Sequence, residues 1–122
     1  MTLTQIQELN EGFQKRAVQL SELIPSGGLV SATASIIRSV RTIHDEFLKI
    51  LSAKEETQFT KIMGALEDEM DEVIFILDQL EIANKKQQIS LIEDFLKEGY
   101  GLMSVYSKCC DYVIEQKVKQ EE

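Results

Sequence analysis

Apolar side chains recur at intervals of three and four residues through nearly all of this 122-residue chain. That spacing lines them along one face of an α-helix, and no segment shows the strict alternation that is typical of a half-buried β-strand. The chain has a single proline, in the segment Pro25–Gly28, which is its one strong cluster of helix breakers. Long helices with short connections predict the all-α class, with an antiparallel up-and-down four-helix bundle as the architecture.

The apolar periodicity and the capping signatures together place the four helices. A single domain over residues 1–122 is expected to hold helices at about 4–24, 29–51, 53–83 and 86–118. A Ser, Thr or Asn three residues before a Gln or Glu marks a helix start, since each side chain can bond the other's backbone N–H group. Such pairs occur at Thr4 with Gln7, Ser52 with Glu55, and Asn84 with Gln87. The expected inner faces include Leu9, Leu51 and Leu91.

Two glycines lie inside the fourth predicted helix. Gly99 and Gly101 each cost about 1 kcal/mol of helix stability relative to alanine. A glycine at an inward position usually indicates that another backbone approaches closely. We therefore expect both glycines to face inward, and we expect Gly99 to lie at a contact with a neighbouring helix or subunit.

Acidic residues are concentrated in the third predicted helix. The chain carries a formal net charge of −8, and residues 52–83, with nine acidic and two basic residues, account for −7 of it. The simplest interpretation is a solvated acidic face, and the sharper one is that some carboxylates pair with Arg38 and Arg41 on the second helix. Such a surface disfavours nucleic acid as a partner and favours a protein with a basic surface.

Metal and cofactor sites are not expected from the residue types present. The chain has one histidine, His44, whereas a di-iron site in a helical bundle needs two Glu-x-x-His pairs and two further glutamates. Cys109 and Cys110 are adjacent, lack the spacing of a zinc site, and cannot close a disulfide with each other without distorting the helix. We expect the ordinary role of core or flanking residues for both cysteines.

The sequence also predicts a compartment. Its first residues lack the basic stretch and the apolar segment of a signal peptide. No stretch approaches the ~18 consecutive apolar residues that a membrane span requires. The free cysteines fit a reducing environment. We therefore expect a cytoplasmic protein with no membrane partner.

One enzymatic hypothesis rests on two residues of the second helix. Arg38 and His44 have five residues between them, which resembles the Arg-x(4–6)-His signature of HEPN-type ribonucleases. In that hypothesis a dimer places both side chains at a shared cleft, where Arg38 stabilises phosphate charge and His44 transfers a proton. The alternative is a partly buried or simple surface histidine with no catalytic role.

The second helix also carries a family resemblance. Its segment SIIRSVRTIHDEF, residues 35–47, resembles the pattern LLRSxxSIxANI of a bacterial family of small four-helix-bundle proteins. Some members are encoded in intervening sequences of 23S ribosomal RNA genes, and a related branch comprises the accessory variability determinants of diversity-generating retroelements. The direct matches are Ile36, Ile37, Arg38, Ser39 and Ile43. Further similarity lies at residues 17–23 and at Phe59, Glu69, Glu72, Phe75, Leu77 and Leu80.

The resemblance implies a function and an assembly. It implies a non-enzymatic bundle that forms a homo-oligomeric ring, typically a pentamer, and acts as a scaffold or adaptor. It also implies that Arg38 pairs with a third-helix carboxylate, with Glu69 and Glu72 as the family positions, either between helices or across subunits. An accessory protein that binds nucleic acid or a reverse transcriptase is the alternative, although the basic surface used in that branch is absent here. The sequence departs from the family pattern at residues 44–46, which are His-Asp-Glu rather than Gly-Ala-Asn.

Overall fold

The computed structural model describes the backbone of residues 1–121 and side chains as far as Lys119. Over these residues it is helical with no β-strand, and the four helices are α1 (Leu3–Leu23), α2 (Gly27–Ser52), α3 (Glu56–Gln87) and α4 (Ser90–Glu121). The predicted all-α class and the predicted number of helices are confirmed. The ends of the helices differ from the prediction by one to four residues.

The helices form an antiparallel bundle in which each packs against the next and α1 also packs against α4. The direction of α4 relative to α1 follows from two contacts, because Arg16 pairs with Glu98 while Asn10, earlier in α1, bonds to Tyr106, later in α4. The pair α3 and α4 is likewise antiparallel, since Lys117 near the end of α4 lies over the ring of Phe59 near the start of α3. The up-and-down architecture positions every site described below.

The starts of the helices correct two of the predicted capping boxes. The box that begins α1 is Thr2 with Gln5, two residues before the predicted pair, and each side chain bonds the other residue's backbone N–H group. The predicted box at Ser52 is wrong, because Ser52 is the last residue of α2 and α3 starts after Glu55 without a side-chain cap. The start of α3 therefore depends on tertiary packing rather than on a side-chain cap.

The connection between α3 and α4 is held by a residue that the sequence assigned to the wrong helix. Asn84 was predicted to cap α4, but it lies buried in the last turn of α3. Its Nδ2 donates to the carbonyl oxygen of Ile89 at 3.2 Å, and its Oδ1 accepts from the N–H group of Ile89 at 3.0 Å. Gln88 takes the left-handed conformation, with φ of 50°, that turns the chain out of α3.

The core follows the predicted stripes with three exceptions. Leu9, Leu51 and Leu91 are exposed rather than buried. In α4 the neighbouring residue Ile92 is buried while Leu91 is not. An apolar stripe fixes the inner face of a helix only to within about one position, since side chains at its edges lie between the core and solvent.

The two glycines of α4 have different surroundings. At Gly99, a Cβ would lie 2.9 Å from Cδ1 of Leu77 and 3.0 Å from Cζ of Phe13. The predicted close approach is therefore present, although side chains rather than a backbone make it. At Gly101 a Cβ would meet nothing within 4 Å and the residue is exposed, so the prediction that this glycine faces inward is wrong.

Candidate functional site

A chain of hydrogen-bonded polar side chains runs through the contact between α1, α2 and α4. Arg41 Nε donates to Gln14 Oε1 at 2.7 Å, and Gln14 Nε2 donates to Asn10 Oδ1 at 2.6 Å. Asn10 Nδ2 in turn donates to Tyr106 Oη at 2.8 Å and to the carbonyl oxygen of Val40 at 2.9 Å. His44 completes this polar network, with Nδ1 lying 2.7 Å from Tyr106 Oη.

The direction of donation is the same along the whole polar network. Tyr106 Oη accepts from Asn10, and Nδ1 of His44 is the one acceptor that the described structure places against the Tyr106 hydroxyl, so the pairing that leaves no buried proton unbonded has Tyr106 donating to His44. Nδ1 is then an acceptor, which places the imidazole proton of neutral His44 on Nε2. No buried side-chain N or O atom in the described part of the chain lacks a hydrogen-bond partner, so the network uses its polar groups internally.

Tyr106 is the most deeply buried member of the polar network. Its side chain is 0% exposed and meets the ring of Phe47 edge to face, with ring centroids 5.5 Å apart. Burial raises the pKa of the Tyr106 hydroxyl to about 12, and the hydrogen bond from Asn10 offsets part of this shift. The phenol therefore stays protonated at neutral pH and remains the donor that fixes the orientation of His44.

The two residues of the ribonuclease hypothesis do not meet within one chain. Six positions along a helix place Arg38 and His44 about 120° apart around the axis of α2. Arg38 is exposed, whereas His44 is half-buried and its Nδ1 is occupied by Tyr106. A cleft that contains both side chains would need a second copy of the chain.

The cations and carboxylates singled out from the sequence form no ion pair with each other in the described structure. Arg41 bonds to Gln14 rather than to a carboxylate. Arg38, Glu69 and Glu72 form no ion pair within the described residues, where the only two such pairs are Arg16 with Glu98 and Lys49 with Glu46. Burial of an Arg38 ion pair between helices of one chain is therefore not observed. The pairing across subunits stays a prediction.

The two cysteines are packed rather than bridged. Both are free, with Cys109 half-buried and Cys110 buried in the core. Burial raises the pKa of the Cys110 thiol to about 11, so that it is a thiol rather than a thiolate at neutral pH. Within the range that the structure describes, no three His, Cys, Asp or Glu side chains lie close enough together to hold a metal ion.

An open groove lies between α2 and α3 at the end of the bundle where α1 turns into α2. The cavity measures about 550 Å³. Apart from Leu29, its floor on α2 consists of small residues, among them Gly28, Ala32 and Ser35, and its wall on α3 carries Phe75 and Ile76. The side chains on α2 are short and the aromatic side chain on α3 is long, and this difference in side-chain length creates the groove. We call this feature the α2–α3 groove.

Phe75 is the least covered large side chain of the α2–α3 groove. It remains 59% exposed, although complete burial of such a side chain contributes about 2 kcal/mol. Ile82, one heptad later on the same outer face of α3, is 60% exposed but does not line the groove. A clustered apolar surface of this kind is typical of an interaction site.

The carboxylates of α3 surround this apolar surface without cationic partners. Between Lys61 and Lys85 the chain has seven acidic residues and no basic one, and none of the seven forms an ion pair in the described structure. Two of them, Asp78 and Glu81, accept hydrogen bonds from the hydroxyl of Tyr100 at 2.5 and 3.1 Å. Partial burial, together with these two carboxylates, raises the pKa of Tyr100 well above its usual range.

The polar network is the feature that sequence reasoning missed. Asn10 lies on the apolar stripe of α1 between Ile6 and Phe13. A stripe that is defined by its apolar members does not include it. A polar residue at an inward helical position is itself a signal, because burial is tolerated only with hydrogen-bond partners. The partner Tyr106 is 96 residues away, so its identity could not follow from local pattern.

Comparison with protein-family models found no match to this chain, and neither did searches of curated proteins and of solved structures. No helix in the described range is long and apolar enough to cross a membrane.

Proposed function

We propose that this chain is a non-enzymatic helical-bundle scaffold that self-associates and holds a partner protein as an adaptor in the cytoplasm. The observation that carries the proposal is the α2–α3 groove, a preformed apolar surface with an exposed aromatic wall. The resemblance of residues 35–47 to the 23S ribosomal RNA intervening-sequence proteins supports it. The same resemblance favours a ring of five chains.

The geometry supports the adaptor function because the groove exists without any rearrangement of the bundle. Its two walls belong to α2 and α3, helices of 26 and 32 residues that pack along each other. A binding surface on rigid helices costs little conformational entropy when a partner docks. Phe75 and Ile76 supply the apolar contact, and Ser35 and Gln79 supply polar groups in the lining.

The mass in solution tests self-association. Light scattering behind a sizing column is expected to give a multiple of the 13.9 kDa chain mass, with five as the favoured number. A mass equal to one chain at every concentration up to the millimolar range would overturn the scaffold half of the proposal. A dimer would contradict the ring and would make the cleft of Arg38 and His44 the next site to test for RNA cleavage.

A groove variant tests the adaptor half. Phe75→Ala is expected to abolish retention of a partner from native extract, because the aromatic wall of the groove is lost. Ile82→Ala is the matched control, since it removes an equally exposed side chain of the same helix face outside the groove. Equal partner recovery by the two variants would show that the groove is not the docking site.

A further inference from the structure

We infer that the α2–α3 groove takes an amphipathic helix from another protein, in which lysine or arginine residues flank the apolar stripe at one end. This inference rests on the proposed adaptor function, because it names the partner of the same surface. Three features of the groove lead to it: its length, the charges around its aromatic wall, and the unequal distribution of charge between its two ends.

The length and lining of the groove fit a short helix. The α3 wall runs from Glu72 to Gln87, which is about 22 Å along a helix axis and corresponds to four turns of a bound helix. Only one of the lining residues, Glu72, is charged. A bound helix would lay the apolar side chains of one face, spaced three, four and seven residues apart, between Phe75 and the small residues of α2.

The charges around Phe75 specify the flanks of the partner. On the surface of a helix, the neighbours of a residue lie three and four positions away. For Phe75 those neighbours include Asp71, Glu72 and Asp78, all of them carboxylates, and none of the three is in an ion pair in the described structure. Any side chain that covers the Phe75 ring therefore brings its own neighbours against negative charge, which a lysine or arginine accommodates.

The two ends of the groove differ in charge, which fixes where the partner's basic residues lie. Asp68, Glu69 and Asp71 lie within one turn of Glu72 at one end, whereas Lys85 and Lys86 lie beside the other end. Basic residues of the partner are therefore expected opposite residues 68–72. Elsewhere on α3 a basic side chain already packs on an aromatic one, since Lys117 Nζ lies 4.1 Å from the centroid of the Phe59 ring.

A second copy that presents its own α3 is a poorer occupant on the same grounds, whereas a copy that presents Arg38 of α2 is the competing occupant, which displacement of the bound peptide would reveal. The chain has a formal net charge of −8, and residues 52–83 contribute −7 of it. Two copies that met through α3 would place like charges against each other. A nucleic acid strand is disfavoured for the same reason, since it would bring phosphates to the carboxylates of α3.

Two designed peptides test the inference. Each is a fluorescein-labelled helix of about 18 residues with the same leucine stripe, and the flanks near one end are lysine in the first peptide and glutamate in the second. Fluorescence anisotropy with the full-length protein at low salt is expected to show the lysine peptide binding about tenfold tighter than the glutamate peptide. Raising the salt concentration to 0.5 M is expected to remove most of that difference, because exposed charges are then screened.

Variants of the protein locate the bound peptide. Phe75→Ala is expected to weaken binding of the lysine peptide about tenfold, as for the removal of a central aromatic anchor, while Ile82→Ala leaves the affinity unchanged. Glu72→Gln is expected to weaken the lysine peptide but not the glutamate peptide, and Glu115→Gln on α4 is its control. Circular dichroism and a thermal melt establish that each variant is folded as the wild type is.

The outcomes separate the partner class from the adaptor function. Equal binding of both peptides through Phe75 would overturn the basic partner and leave the groove as a docking site. Equal weakening by Phe75→Ala and Ile82→Ala would overturn the groove itself. Failure of the lysine peptide to bind would overturn the inference, while the mass in solution decides self-association independently. Displacement of the lysine peptide by a second copy, seen as weaker binding at higher protein concentration, would identify self-association as the use of the groove.

Discussion

The two sides of α2 differ in how completely their side chains are hydrogen-bonded or buried. On the side of α1 and α4, Arg41 and His44 are the two ends of the polar network, and the deepest member, Tyr106, is fully buried. On the side of α3, the small residues Ala32 and Ser35 leave a groove beside an exposed Phe75. On the first side, polar side chains bond to each other and hold the bundle together. On the second side, apolar side chains of the groove remain partly exposed. Under the proposed adaptor function, stability and binding therefore belong to different faces of the same helix.

The largest expected effect comes from removing the centre of the polar network. Asn10→Ala deletes three hydrogen bonds and opens a small cavity, and we expect the free energy of unfolding to fall by about 2–4 kcal/mol. Ser35→Ala, on the groove side of α2, is expected to change it by less than about 0.5 kcal/mol. Urea unfolding followed by circular dichroism measures both. Equal effects of the two variants would contradict the contrast between the two faces.

The next expected effect compares two glycines of α4: Gly99, where a Cβ would meet neighbouring side chains, and Gly101, where it would meet nothing. Gly99→Ala places a methyl group against Leu77 and Phe13 and is expected to destabilise the fold by about 1–2 kcal/mol. Gly101→Ala meets nothing within 4 Å, so it is expected to stabilise the fold by up to about 1 kcal/mol through helix propensity alone. Thermal melts of the two variants should therefore move in opposite directions. A stabilising effect of Gly99→Ala would show that the side chains of Phe13 and Leu77 move aside at little cost in free energy.

The smallest expected effect is a loss of stability at alkaline pH. The folded chain raises the pKa of Tyr106 from 10.0 to about 12, so it holds that proton more tightly than the unfolded chain does. This contribution is complete below pH 10 and is lost as the pH rises toward 12. We expect a loss of about 1 kcal/mol by pH 11 from Tyr106, and burial of the Cys110 thiol acts in the same direction from pH 9 upward.

A phenylalanine variant isolates the contribution of Tyr106 to this pH dependence. Tyr106→Phe removes the ionisable group, so its free energy of unfolding should fall less steeply between pH 10 and 12 than that of the wild type. Urea unfolding at each pH gives the two slopes, and absorbance at 295 nm follows the ionisation of the phenols. An identical slope in the variant would assign the alkaline loss to other groups, with Cys110→Ala as the next variant to measure.

Local pattern was sufficient for the helices and insufficient for the sites. Amphipathic spacing is a property of neighbouring residues, so the class and the number of helices followed from it. The turn at Asn84 was misassigned because the backbone of Asn84 belongs to the last turn of α3, while its side chain bonds Ile89 on the far side of the turn. The polar network and the α2–α3 groove are set by residues far apart in the chain, such as Asn10 with Tyr106 and Ala32 with Phe75. No spacing rule relates such pairs.

Polar contacts of α1 also distinguish the bundle from its topological mirror image. Four amphipathic helices in the same order can turn either to the left or to the right, and apolar stripes alone fill both cores almost equally well. Gln14 lies on the flank of α1 that faces α2, whereas Arg16 lies on the flank that faces α4. In the mirror arrangement these flanks exchange neighbours, and both contacts are lost. These two contacts therefore favour the observed handedness of the fold over its mirror arrangement.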